Sequence, residues 1–166
     1  TDLIFPFFLF IVGVSIVLAF TKAKAKGVAN ADLSKKTLVR AAKIFGLGLA
    51  LSAFPYISLK SGFSLHPNLI DIRIPGVLQR IAICYAVGAF LFLYTKPKTQ
   101  MLTLGVLLVS YWLAMTFIPV PGYGAGAIHL PEGNLAAYFD QLFLSGHTWK
   151  ENWDPEGFLS TFPAIG

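Results

Sequence analysis

The chain predicts an all-α polytopic membrane protein, with four transmembrane helices, an interfacial helix and the start of a fifth span. Three observations lead there. Hydrophobic residues make up 55% of the 166 positions, charged residues only 13%, and mean hydropathy is +0.67, whereas a water-soluble domain carries about 25% charge. Apolar segments of membrane length recur at about 3–20, 38–59, 74–94 and 101–118. The basic residues cluster between those segments instead of spreading along a soluble face. The net charge of +5 therefore reports membrane orientation and gives no reason to invoke nucleic acid.

Each apolar segment has the length to cross a hydrocarbon core of about 30 Å as a helix rising about 1.5 Å per residue. None shows the ten-residue alternation of a membrane strand. Asp2 stands at the mouth of segment 3–20, where a carboxylate caps a helix start and is worth about 0.3–1 kcal/mol. In segment 38–59, Gly46, Ala50 and Ala53 form a small-residue stripe that permits close packing on a neighbour, with Gly48 one residue off it. Segment 74–94 opens on the octet Arg73-Ile-Pro-Gly-Val-Leu-Gln-Arg80. Pro75 suits a first helical turn, and the seven-residue spacing returns both arginines to one helical face. A charge near hydrocarbon costs about 2.5–3.5 kcal/mol or more, so these arginines are functional candidates, and beside a helix start they suit an anion. The plainer reading is that Arg80 snorkels and Arg73 merely flanks the span. Cys84, the one cysteine, lies inside this segment and reads as packing.

Residues 119–157 form a loop too long for a simple connection. Pro119, Pro121, Gly122, Gly124 and Gly126 exclude regular helix at its start. Gly124-Ala-Gly126 lacks the lysine and hydroxyl residue of a phosphate loop. Asn134 then caps a short interfacial helix with Leu135, Tyr138, Phe139 and Leu142 on its apolar face and Asp140 and Gln141 on the other. Trp149 and Trp153 fit the same interface. An apolar segment begins at residue 158 and stops after two turns, and Thr1 is not an initiator methionine, so an internal piece of a longer protein is expected.

Charge sets the orientation. Lys22 to Lys43 together with Lys96 and Lys98 hold nine of the 13 basic residues, and the opposite side holds seven of the eight acids. The basic side is cytoplasmic by the positive-inside rule, which places Asp2, the Arg73 corner and loop 119–157 outside. Asp2, Arg73, Gln79 and Arg80 then share one outer mouth, the form of a ligand site among apolar helices. His66, His129 and His147 show no His-x-x-x-His spacing and no Cys-x-x-Cys is present, so no metal is expected. His147 lies close in sequence to Asp154 and Glu156, which makes it an acid/base candidate, with an exposed loop histidine as the plainer account.

Four motifs in order carry a resemblance: residues 2–13 (Asp-Leu-Ile-Phe-Pro-Phe-Phe-Leu-Phe-Ile-Val-Gly), the arginine octet, Pro119-Val-Pro-Gly122 and Asp154-Pro-Glu-Gly157. The chain resembles the transmembrane heparan-α-glucosaminide N-acetyltransferases and their bacterial relatives over nearly its whole length. Short loops without cysteines look bacterial, implying the cytoplasmic (inner) membrane. The resemblance implies an acyltransferase that moves acetyl from cytosolic acetyl-CoA to the amine of a glucosamine-type sugar outside, without metal. It implies a histidine upstream of Thr1, a few residues ahead of the Asp2 motif, as the acid/base or acyl-carrying group, which leaves this fragment inactive. By matched motif, Asp2 supports catalysis, Arg73, Gln79 and Arg80 hold the donor, and Asp154 and Glu156 more weakly hold the acceptor. The lipid bilayer and the amino sugar are the implied partners, and a homo-oligomer is compatible. Two alternatives stand beside the enzyme: a transporter for an anionic or sugar substrate using the same arginines, and a scaffold in which they only anchor the third helix.

Overall fold

The computed structural model describes residues 4–54, 57–58, 64–65, 73–148 and 154–166. Six helices follow in order, α1 (Ile4–Ala25), α2 (Asn30–Ser52), α3 (Val77–Tyr94), α4 (Pro97–Phe117), α5 (Leu135–Leu144) and α6 (Phe158–Ile165). Between α2 and α3 a short hairpin pairs β1 (Ile57–Ser58) with β2 (Ser64–Leu65). Thr1, Asp2, His66, Trp149 and Trp153 lie outside the described residues.

α3 is the central helix, packed on α2 along most of its length and on α1 at its other flank. Ile16 and Phe20 of α1, Leu33 and Ala41 of α2, and Tyr85, Ala89 and Leu93 of α3 form the core. A second cluster, Met115, Val120 and Leu135, seats α5 and the turn after α4. That turn closes by Val120–Gly124 pairing, with Gly122 and Gly124 at φ +85° and +80°, which only glycine adopts without strain. The outward faces of α1 and α4 are apolar: α1 buries only Ile16 and Phe20, and α4 only Met115. Such faces need lipid or further helices to cover them.

One end of the bundle collects the basic connections. Asn30 donates to the Leu93 carbonyl at 3.3 Å, Ser34 and Tyr94 hydroxyls meet at 2.8 Å, and the Lys24 ammonium sits 5.1 Å from the Phe92 ring centre. The start of α2 therefore lies beside the end of α3, so Lys22–Lys36 share an end with Lys96 and Lys98, away from Arg73.

The structure corrects three expectations. Among the described residues three helices, α1, α3 and α4, are long and apolar enough to span, and α2 is a fourth long helix whose charges keep it out of that set. α2 begins eight residues before position 38 and ends at Ser52, not 59. Its first 14 residues carry Asp32, Lys35, Lys36, Arg40 and Lys43, which interrupt any apolar window but do not stop a helix. Pro55 explains the early end, because the residue before a proline leaves the helical region. The close-packing face of α2 is Leu33, Thr37, Ala41 and Gly48, while Gly46 and Ala50 are not buried and Ala53 is buried at the C-cap. Finally, α3 starts at Val77 with Gly76 as N-cap, so Pro75 and Arg73 precede the helix and share no helical face with Arg80.

Candidate functional site

Two arginines that do not share a helix face nevertheless converge, because one segment meets both. Arg73, in extended chain before α3, donates through Nε to Asp154 Oδ2 at 2.7 Å and through Nη2 to Asp154 Oδ1 at 2.6 Å. The same Nη2 also bonds Glu156. The Asp154 side chain is fully buried and that of Arg73 is 28% exposed. Burial opposes the charge on Arg73, but hydrogen bonding and attraction to Asp154 and Glu156 raise its pKa above the ordinary value. Arg80, one turn into α3, donates from Nη1 to the Pro155 carbonyl at 3.1 Å and from Nη2 to the Ser160 carbonyl. Its guanidinium stands 5.2 Å from the ring centre of Phe5, which brings the start of α1 into the same corner.

Gln79 is wedged between helices. It is 3% exposed, and a Cβ on Gly48 of α2 or on Gly76 would stand 2.5 or 2.6 Å from its Oε1. Both glycines are required by this close approach. Gln79, Arg80, Gly76, Phe45, Phe158 and Glu156 line a mostly apolar cavity of about 190 Å³. Arg80 also borders a larger cavity of about 650 Å³ running along Cys84 and Gly88 between α1, α3 and α6. Gly88 and Ile16 border a third, of about 250 Å³, which reaches Gln100 at the start of α4. Arg80, shared by the first two, and Gly88, shared by the last two, place the three cavities in succession along α3 from the arginine corner toward the basic end.

Of the residues nominated from the sequence, Arg73, Gln79, Arg80, Asp154 and Glu156 therefore meet. Glu156 borders the cavity, while Asp154 is covered by Arg73. His147 is half-buried in the turn after α5, and its carbonyl accepts from Ile74 N at 3.0 Å, which fastens that turn beside Arg73.

Asp140 is the residue that sequence reasoning misplaced. Instead of facing outward it is 1% exposed, while Leu142 and Phe143 are 61% and 64% exposed. Its Oδ1 accepts from Phe158 N at 2.9 Å, the first amide of α6. Gly157 at the N-cap has no side chain to do this, and a helix start with an uncapped glycine was the available signal. The expected Asn134 cap is present, with Oδ1 accepting from Ala137 N at 2.9 Å. Burial is the main cause that pushes the Asp140 carboxyl from 3.8 up to about 6, against the lowering effect of the Phe158 amide. Between those values the folded protein holds a proton that the unfolded chain has released. The resulting stability is full below pH 3.8 and is lost as pH rises through about 6. Asp140→Asn keeps the acceptor and removes the titration. Its melting temperature relative to the parent should climb between about pH 4 and pH 6 and level off above, and parallel curves would refute this.

The comparisons decide the family. Residues 1–139 match a family described as "Heparan-alpha-glucosaminide N-acetyltransferase, catalytic". The chain belongs to that family. A Mus musculus protein named heparan-alpha-glucosaminide N-acetyltransferase is 32% identical, aligned over 99% of this chain and 31% of its own length. The Homo sapiens protein of the same name is 31% identical over 99% of this chain and 30% of its length. The chain thus spans about a third of these relatives. The alignments extend over 209 positions, more than the 166 residues here, so the relatives carry insertions.

Proposed function

We propose that the protein carrying this chain is a membrane acetyltransferase that moves the acetyl group of acetyl-CoA to the amine of a glucosamine-type sugar on the outer side of a bacterial cytoplasmic membrane. The observation that carries the reading is the succession of cavities along α3, from a corner built by the family's arginine octet toward the basic end. Lys22–Lys36, Lys96 and Lys98 mark the cytoplasmic end, where a CoA nucleotide is available. The acyl arm threads past Gly88 and Cys84, and the thioester reaches Arg80 and Gln79 at the outer mouth.

In this reading Arg73 is a clamp. Its guanidinium is engaged by two carboxylates and fixes the Asp154–Gly157 turn against α3. Arg80 and Gln79 hold the donor, and Glu156 at the cavity wall accepts hydrogen bonds from the sugar. The amine's proton passes to a base, for which the resemblance nominates a histidine upstream of Thr1, ahead of the Asp2 motif. Family membership favours this enzyme over a transporter or a scaffold built on the same arginines.

Sealed vesicles containing the full-length protein test both chemistry and sidedness. With acetyl-CoA confined to the side of Lys24 and Lys98 and glucosamine to the other, N-acetylglucosamine should accumulate on the glucosamine side with stoichiometric release of free CoA thiol. No product in any arrangement would overturn the function. Turnover only with the donor on the Arg73 side would overturn the orientation.

A further inference from the structure

Gln79 presents a problem of hydrogen bonding. Its side chain is nearly inaccessible, yet its Nε2 has no partner among the described residues, and neither has the buried Nε of Arg80. Leaving a buried donor unpaired is costly, so an apolar side chain of the same shape would serve packing better. Both donors lie in the first turn of α3, on residues that line the same 190 Å³ cavity.

Neither group is free to turn elsewhere. The Oε1 side of Gln79 is lodged against Gly48 and Gly76, and the two terminal nitrogens of Arg80 are tied to the Pro155 and Ser160 carbonyls. The other walls include Phe45, Ile83, Phe158 and Phe162, with the Glu156 carboxylate at the side that Arg73 engages. Two fixed N–H donors beside a mostly apolar cavity suit one oxygen atom that gains negative charge.

We infer that Gln79 Nε2 and Arg80 Nε form the pocket for the carbonyl oxygen of the acyl donor, making both catalytic residues. The inference rests on the acyl-transfer reading and specifies its chemistry. The sugar amine attacks the thioester carbon, forming the C–N bond while the C=O π pair moves onto oxygen. That oxyanion accepts from the two N–H groups. Its collapse restores the carbonyl and breaks the C–S bond, and the leaving thiolate takes up the proton that the amine gave to the base. The apolar walls bound the acyl group, so short chains fit and charged ones are excluded.

The test uses the full-length protein and two donor mimics. One is a methyl ketone analogue of acetyl-CoA, with sulfur replaced by methylene, and the other is S-ethyl-CoA, which lacks the carbonyl. The parent should bind the ketone about tenfold tighter, the worth of one hydrogen bond. Gln79→Met fills the same notch without a donor. It should erase most of that preference and lower kcat by about 10²–10³-fold with KM for acetyl-CoA little changed. Gln79→Glu, which keeps the shape but turns an acceptor toward the oxygen, should lose the preference equally and serves if the methionine variant does not assemble. Equal affinity of the parent for both mimics, or a variant with parental kcat, would overturn the inference while leaving the acyltransferase intact. A parent that releases no thiol from acetyl-CoA would overturn the function itself.

Discussion

Arg73→Ala should destabilise the folded protein by about 3–5 kcal/mol, the penalty for removing one partner of a buried ion pair. The substitution leaves the fully buried carboxylate of Asp154 and the largely covered one of Glu156 facing each other without the Arg73 guanidinium. Asp154 Oδ1 also accepts from Glu156 N at 3.0 Å, so the turn leading into α6 depends on the same carboxylate. Arg73→Lys should recover only part, because lysine cannot bond both Asp154 oxygens through a planar fork. Thermal unfolding in detergent checks this. Asp154→Asn in the Arg73→Ala background should return some stability by removing the stranded charge, since residues in one network are not additive. A melting temperature unchanged by Arg73→Ala would mean that the triad is solvated and of little weight.

Gly157→Ala should also be damaging, through shape. A Cβ there would overlap the Asp140 carboxylate and stand 2.5 Å from its Cγ, a separation no side chain tolerates. Either α5 and α6 move apart or Asp140 leaves the Phe158 amide, and overpacking of this kind costs about 1–3 kcal/mol. Displacing α6 also opens the wall that Phe158 and Phe162 give to the cavity, so activity of the full-length protein should fall together with stability. The companion Asp140→Ala, combined with Gly157→Ala, should be less harmful than the sum of the two single changes, because it removes the clashing carboxyl. Strict additivity would show that the glycine is needed for another reason.

Much of the architecture was legible in composition and pattern. An apolar run such as residues 4–20 has one low-energy form in lipid, and the turn glycines after Pro119 and the Asn134 cap act within a few residues. Their outcome depends on local chemistry alone. The same holds for which of the candidate residues gather at one corner. Arg73, Gln79, Arg80, Asp154 and Glu156 were picked out by charge beside apolar spans and by motif, and they do assemble.

Their roles depended on neighbours distant in sequence. The octet suggested two equivalent arginines on one helix face, yet Arg73 precedes α3 and is engaged by carboxylates 81 and 83 positions away, while Arg80 binds carbonyls. Asp140 looked like a surface residue because the period of α5 describes its own faces and says nothing of α6, whose uncapped amide draws the carboxylate inward. The small-residue stripe of α2 was assigned to the wrong glycine for a similar reason: only the position of Gln79 on α3 shows that Gly48 must lack a side chain. The sequence by itself determined which segments are helical and which end of the bundle is basic, since helix formation and charge distribution are properties of the chain. Tertiary structure alone decided which polar groups are satisfied and which remain unpaired at the cavity, because hydrogen-bond partners some 80 residues apart are chosen by packing, and no local pattern encodes that choice.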